Sequence, residues 1–106
     1  MNFPFLYADE RGVWREDRPG SPFGILWDEI YRLSGGKLDG QDEIYTILAL
    51  DWEYGEYLEL NDRWEGFDQV VQALTERLPG IDPDWFDTIE ALRADDEARV
   101  IWQRTA

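Results

Sequence analysis

Hydrophobic and polar positions alternate most regularly in the middle of the chain. From Ile44 the odd–even pattern puts Ile44, Thr46, Leu48, Leu50 and Trp52 on one face, and Tyr45, Ile47, Ala49 and Asp51 on the other. Both faces are therefore partly apolar. A turn at Glu53-Tyr54-Gly55 leads into Glu56 to Leu60, where Leu58 and Leu60 point inward and Tyr57 and Glu59 outward. This period of two predicts a β-hairpin with one core face. The period then changes. Phe67, Val70, Val71, Leu74 and Leu78 recur at helical spacing, with Asp68, Gln69, Gln72 and Glu76 on the opposite side. Asn61 or Asp62 is expected to cap this helix, because a short polar side chain can accept an orphan amide of the first turn. Leu78-Pro79-Gly80 should end it, so the main helix is expected over about 62–78.

A second helix start is written at Ile81-Asp82-Pro83-Asp84. Asp82 suits the cap, Pro83 the first helical position, and Asp84 the positive end of the helix dipole. Trp85, Phe86, Ile89 and Leu92 give it an apolar face, predicting a short helix over about 83–93. An acidic break at Asp95-Asp96-Glu97 precedes a final strand, Arg99 to Arg104. Ahead of the hairpin the signals are weaker. Phe3 to Tyr7 and Val13 to Arg15 flank a Gly-containing turn and suggest a hairpin or irregular edge. Asp17 to Pro22 is turn chemistry. Trp27 to Glu29 reads as a strand or one turn of helix, continuing as a strand through Tyr31 to Leu33. Ser34-Gly35-Gly36 permits a bend or bulge, and Leu38 to Gln41 a turn. Strands followed by helices, with a strand at the end, make an α+β domain with an antiparallel sheet, one domain over 1–106.

Charge sharpens this picture. In 106 residues, 24 Asp and Glu face 10 Lys and Arg, for a formal net charge of −14. Such a chain repels phosphate backbones and anionic lipid, so nucleic acid and membrane surfaces are expected not to be partners. A basic protein would be steered toward it, at a rate that falls with salt. Acidity also keeps a domain soluble, so it alone names no partner. With no Cys there is no disulfide framework, which fits a cytoplasmic protein. Met1 to Leu6 does not read as a signal peptide, and the apolar run around Ile44 to Leu50 is too short to span a bilayer.

The absence of both Cys and His excludes nucleophilic triads built on a histidine base, and thiolate or imidazole zinc sites. Ser34-Gly35-Gly36-Lys37 lacks the spacing of a phosphate-cradling loop, and a tight turn explains it. Asp51 to Glu56 lacks the ligand pattern of an EF-hand. No catalytic, cofactor-binding or metal-ligating set is therefore expected. The hairpin serves binding better. Tyr45, Trp52, Tyr54 and Tyr57 interleave with Asp51, Glu53, Glu56 and Glu59, so aromatic contact area sits beside carboxylates that select Arg or Lys. Trp52 is expected in the core. Asp51, Glu53, Tyr54, Glu56, Tyr57 and Glu59 are the candidate partner-binding residues. Trp14, Trp27, Trp64, Trp85 and Trp102 are expected to serve packing.

The run Ile25-Leu26-Trp27-Asp28-Glu29-Ile30-Tyr31-Arg32-Leu33, the hairpin ending Leu58-Glu59-Leu60, and the helix Phe67 to Leu78 together resemble small bacterial pleckstrin-homology-like domains. The resemblance covers roughly Gly24 to Leu78 and implies a bent antiparallel sheet packed by one main helix. It does not extend to a phosphoinositide pocket, since only Arg32 and Lys37 lie in the relevant stretch. The segments after Pro83 have no place in that family. In size, acidity and architecture the chain is also similar to immunity proteins of polymorphic toxin systems. That likeness implies a non-enzymatic inhibitor of a basic toxin or nuclease, without cofactor. The alternatives are a structural domain that forms a homodimer through its aromatic faces, and a small carboxylate-dependent hydrolase.

Overall fold

A computed structural model describes residues 2–105. The hairpin anticipated from alternation is present: β5 (Ile44–Asp51) pairs with β6 (Tyr57–Asn61), with Leu48 opposite Leu60 and Leu50 opposite Leu58. Strand β4 (Arg32–Asp39) lies on the other side of β5, and β7 (Arg99–Gln103) completes a four-stranded antiparallel sheet in the order β6-β5-β4-β7. Three earlier strands, β1 (Phe5–Ala8), β2 (Gly12–Glu16) and β3 (Pro22–Leu26), form a separate antiparallel sheet in that order. The fold is α+β, with main helix α1 (Phe67–Arg77) and short helix α2 (Trp85–Glu90). The strands are thus shared between two sheets, because β3 returns on β2 before the chain enters β4. No helix among the described residues is long and apolar enough to cross a membrane.

One buried cluster joins all these elements. The four-stranded sheet contributes Leu33, Leu48, Leu50, Leu58, Leu60 and Trp102; the smaller sheet adds Leu6, Val13 and Ile25. Phe67, Val70, Leu74 and Leu78 supply the helical stripe, and Trp85 and Ile89 close it from α2. Val71 is only half-buried, and Ala73 takes a buried place on the helix. Four tryptophans lock their indole N–H groups onto internal acceptors. Trp14 donates to Asp9 Oδ1, Trp27 to the Asp9 carbonyl, Trp85 to Thr75 Oγ1 and Trp102 to the Pro79 carbonyl. Trp85 and Trp102 are buried and Trp27 packs half-buried against the core. A buried indole needs an acceptor. Trp14, half-buried, anchors the β1–β2 turn instead. Trp52 rests half-buried against the core.

Several boundaries move for physical reasons. Helix α1 begins at Phe67, not near 62, and neither Asn61 nor Asp62 caps it. The Asn61 side chain instead accepts the Arg63 N–H at 2.9 Å, and the Asp62 N–H donates to the Thr46 carbonyl at 3.0 Å. Those residues hold a connecting turn. The helix cap is Gly66, at φ 92°. At α2, Asp82 accepts the Asp84 N–H and so closes the turn ahead of the helix, which runs only from Trp85 to Glu90. Leu92 lies beyond its end, half-buried against the core. Ser34-Gly35-Gly36 continues β4 without a turn, and the irregularity is a register shift between Leu33 and Ser34 against β7. Gly35 faces α2, where a Cβ would crowd Leu48 and Ile89. Leu38 and Asp39 belong to β4, and Trp27–Glu29 forms a single 3-10 turn whose Glu29 carboxylate accepts the Leu26 N–H.

Two local constraints hold the smaller sheet. The Leu6 N–H donates to the Glu65 carbonyl at 2.7 Å, drawing the start of α1 against β1. A Cβ at Gly66 would collide with the Leu6 carbonyl. Gly66→Ala, adding that clash to a left-handed backbone, is expected to lower stability by about 2 kcal/mol or more in urea denaturation. An unchanged midpoint would contradict this junction. At the β1–β2 turn, Asp9 Oδ1 accepts three donors: Arg11 N–H at 2.9 Å, Gly12 N–H at 3.1 Å and the Trp14 indole at 2.9 Å. The indole bond chiefly holds the Asp9 carboxyl below the usual 3.8, against some desolvation, with help from the Arg11 and Gly12 amides and the Arg11 charge. A depressed carboxyl stabilises the fold above its unfolded pKa and stops doing so as pH falls through the folded value. Asp9→Ala is expected to cost about 1–3 kcal/mol near neutrality, the deficit shrinking as pH drops below about 4. A deficit that stayed constant through that window would assign the loss to packing alone.

Candidate functional site: an acidic aromatic turn

Strand β5 ends at Asp51 and the chain reverses at once. The Trp52 N–H donates to the Glu56 carbonyl at 2.8 Å, and the Gly55 N–H to the Trp52 carbonyl at 3.2 Å. This tight closure leaves side chains at 53, 54 and 56 no room to fold inward. Tyr54 is 71% exposed and Tyr57 61%. The Trp52 and Tyr54 rings stack, with centroids 6.0 Å apart and planes 25° from parallel. An aromatic surface therefore projects from the end of the hairpin, with Glu53 and Glu56 exposed around it.

The 3-10 turn between the two sheets brings a second acidic segment to the same place. Asp28, Glu29 and Tyr31 face Trp52, Glu53 and Tyr54 across an open cleft of about 220 Å³. Arg104 also borders the cleft, but its guanidinium is committed to the backbone: Nε donates to the Ile30 carbonyl and Nη2 to the Trp27 carbonyl, both at 3.0 Å. Its face rests on the Trp102 ring. The Tyr54 phenol is held above the usual 10.0, first by desolvation and then by the negative charges of Glu56 and Glu29. At neutral pH it keeps its proton and can donate a hydrogen bond. Aromatic faces beside carboxylates attract a guanidinium or ammonium group through the ring quadrupole and through charge.

The six residues marked in the sequence fall into two groups. Glu53, Tyr54 and Glu56 form the turn. Asp51, Tyr57 and Glu59 lie on the strands, with Asp51 opposite Tyr57 and Ala49 opposite Glu59. Asp51 is committed internally, paired with Arg32 at 2.8 Å and only 16% exposed in its side chain. Glu53, Glu56 and Glu59 have no ion-pair partner among the described residues. Sequence reasoning did not find Asp28, Glu29 and Tyr31, because their approach depends on how the 3-10 turn meets the distant hairpin. Among the described residues, no three Asp or Glu converge closely enough to hold a metal ion.

In comparisons with known proteins, the chain matches no family, no characterised protein and no solved structure. The geometry of the turn and cleft is thus the basis for any functional assignment. That geometry predicts that Glu56→Gln will move the Tyr54 ionisation back toward 10.0. An NMR titration of the tyrosine rings reads this directly. An identical titration in the variant would show that Glu56 does not sense the phenol.

Proposed function

We propose that the chain is a non-enzymatic acidic binding domain that neutralises a basic protein partner, in the manner of an immunity protein covering a toxin or nuclease domain. The observation that carries this is the hairpin turn, where Glu53 and Glu56 lack internal cations and flank the exposed Tyr54 beside Trp52. Surface carboxylates left unpaired in a chain of charge −14 attract Lys and Arg at long range. Exposed tyrosines then supply contact area at low conformational cost. The cleft beside them takes a basic side chain, with Trp52 and Tyr54 along the stem and Asp28, Glu29 and Glu53 near the charge. A partner that uses its basic surface to hold phosphates would meet carboxylates there in their stead. Asp51 contributes by shaping the strand end through Arg32.

The experiment is a binding measurement between the tagged chain and the product of the neighbouring gene, at low and moderate salt. One basic partner, released as salt rises, is expected. Glu53→Lys with Glu56→Lys should weaken that binding at least tenfold, and Tyr54→Ser by a similar factor, with the fold unchanged by circular dichroism. Affinity unaltered by both changes would remove the turn from the interface. Binding that was indifferent to salt would remove the electrostatic basis of the proposal.

A further inference from the structure

The four-stranded sheet buries one face and leaves the other open. Outward from β4 and β5 point Ser34, Gly36, Tyr45, Ile47 and Ala49, in the alternation opposite to the buried Leu33, Leu48 and Leu50. Ile47 and Ala49 stand outside the buried cluster, although helices and the smaller sheet saturate the other side. An antiparallel sheet facing water usually presents polar side chains there. Here the small residues Ser34, Gly36 and Ala49 floor a depression of about 240 Å³, walled by Ile47, Leu38 and Glu59. Leu38 is 55% exposed and Val100, opposite Ser34 on β7, is 52% exposed. Small residues in the middle and aliphatic ones at the rim make a socket with room for one branched or aromatic side chain.

Charge decides what can sit there. A second copy would bring another −14 against this surface, and like charges oppose that approach. Within the socket wall, Glu59 has no ion-pair partner among the described residues. Arg32 on the same face is already neutralised by Asp51, and Arg63, which lies over the Tyr45 ring, by Glu43. Lys37 points to the other side of the sheet, onto Thr46 and Glu90. An apolar socket with a free carboxylate in its wall, on a chain of net charge −14, complements an apolar side chain flanked by basic ones. We propose that the open face of the four-stranded sheet is a docking surface for a cationic protein segment, which seats one aliphatic or aromatic side chain between Ile47, Leu38 and Glu59. The inference rests on the reading of a basic protein partner but places a second, chemically different contact on it.

Two synthetic peptides separate the two contacts. One is Lys-Lys-Leu-Lys-Lys and the other has Ser in place of Leu; both are followed by amide NMR shifts of the whole chain at low salt. The Leu peptide is expected to shift Gly36, Ile47 and Ala49 together with the 52–57 turn, and the Ser peptide to shift the turn alone. Ala49→Arg, or Leu38→Lys at an already exposed position, should weaken the sheet-face response at least tenfold and leave the turn response intact. If both peptides shift only the turn, the socket is overturned while the acidic turn remains a binding site. If the sheet face responds and the turn does not, the socket stands and the turn fails. A concentration-dependent dimer in sedimentation, abolished by Ala49→Arg, would give the face to a second copy and overturn the proposal.

Discussion

The junction between Leu6 and the Glu65-Gly66 segment is the contact on which the rest of the molecule depends. It is backbone against backbone: the Leu6 N–H bonds the Glu65 carbonyl, and the absent side chain at Gly66 lets the Leu6 carbonyl approach. Through it the first strand of the small sheet docks at the start of α1, and Leu6, Val13 and Ile25 reach the same core as Phe67 and Val70. The Ala8 backbone extends the junction along the helix, exchanging hydrogen bonds with the Gln69 side chain in both directions. A larger residue at Gly66 would push the small sheet off the core it helps to close.

Docking the small sheet and both helices against one side of β6-β5-β4-β7 has two consequences. It leaves the opposite side of that sheet without a cover. It also fixes the 3-10 turn next to the hairpin end, because the Tyr31 N–H bonds the Asp51 carbonyl and Arg104 ties Ile30 and Trp27 to the chain end. The acidic cleft is thus a product of the fold: backbone bonds and Arg104 hold it, with the Glu29 carboxylate closing the 3-10 turn on the Leu26 N–H. The Asp28 and Glu53 side chains make no hydrogen bond or ion pair among the described residues. Such a scaffold can present exposed Glu53, Tyr54 and Glu56 with little ordering required on binding, which favours affinity.

Much of this was legible in the chain, and the parts that were not share a cause. The hairpin and α1 could be read because side-chain periodicity reports burial directly at Leu48, Leu50, Val70 and Leu74. The second apolar face of β5 was legible too, in Tyr45, Ile47 and Ala49, although nothing local says whether another element covers it. The start of α1 was not. Asn61 and Asp62 carry cap chemistry, but they sit in the connecting turn, where the Asn61 side chain holds the Arg63 amide and Asp62 bonds through its backbone. Gly66 caps because β1 is pressed against it. The division into two sheets depends on which short strands pair, a non-local choice that composition does not record. At the site, Glu53, Tyr54, Glu56 and Tyr57 were visible as exposed turn and strand residues. That Arg32 occupies Asp51, and that Asp28 and Glu29 join the turn, follows only from three-dimensional packing.

The central claim is that the hairpin end and the open sheet face together bind one cationic protein. Hydrogen–deuterium exchange of the chain, alone and saturated with the basic protein it retains at low salt, tests this most directly. Slowed exchange is expected over residues 52–59, with further protection in β4 and β5 around Gly36 and Ile47, and no change over α2. Protection centred on α2, with the hairpin end exchanging as fast as in the free chain, would place the interface elsewhere and contradict the claim.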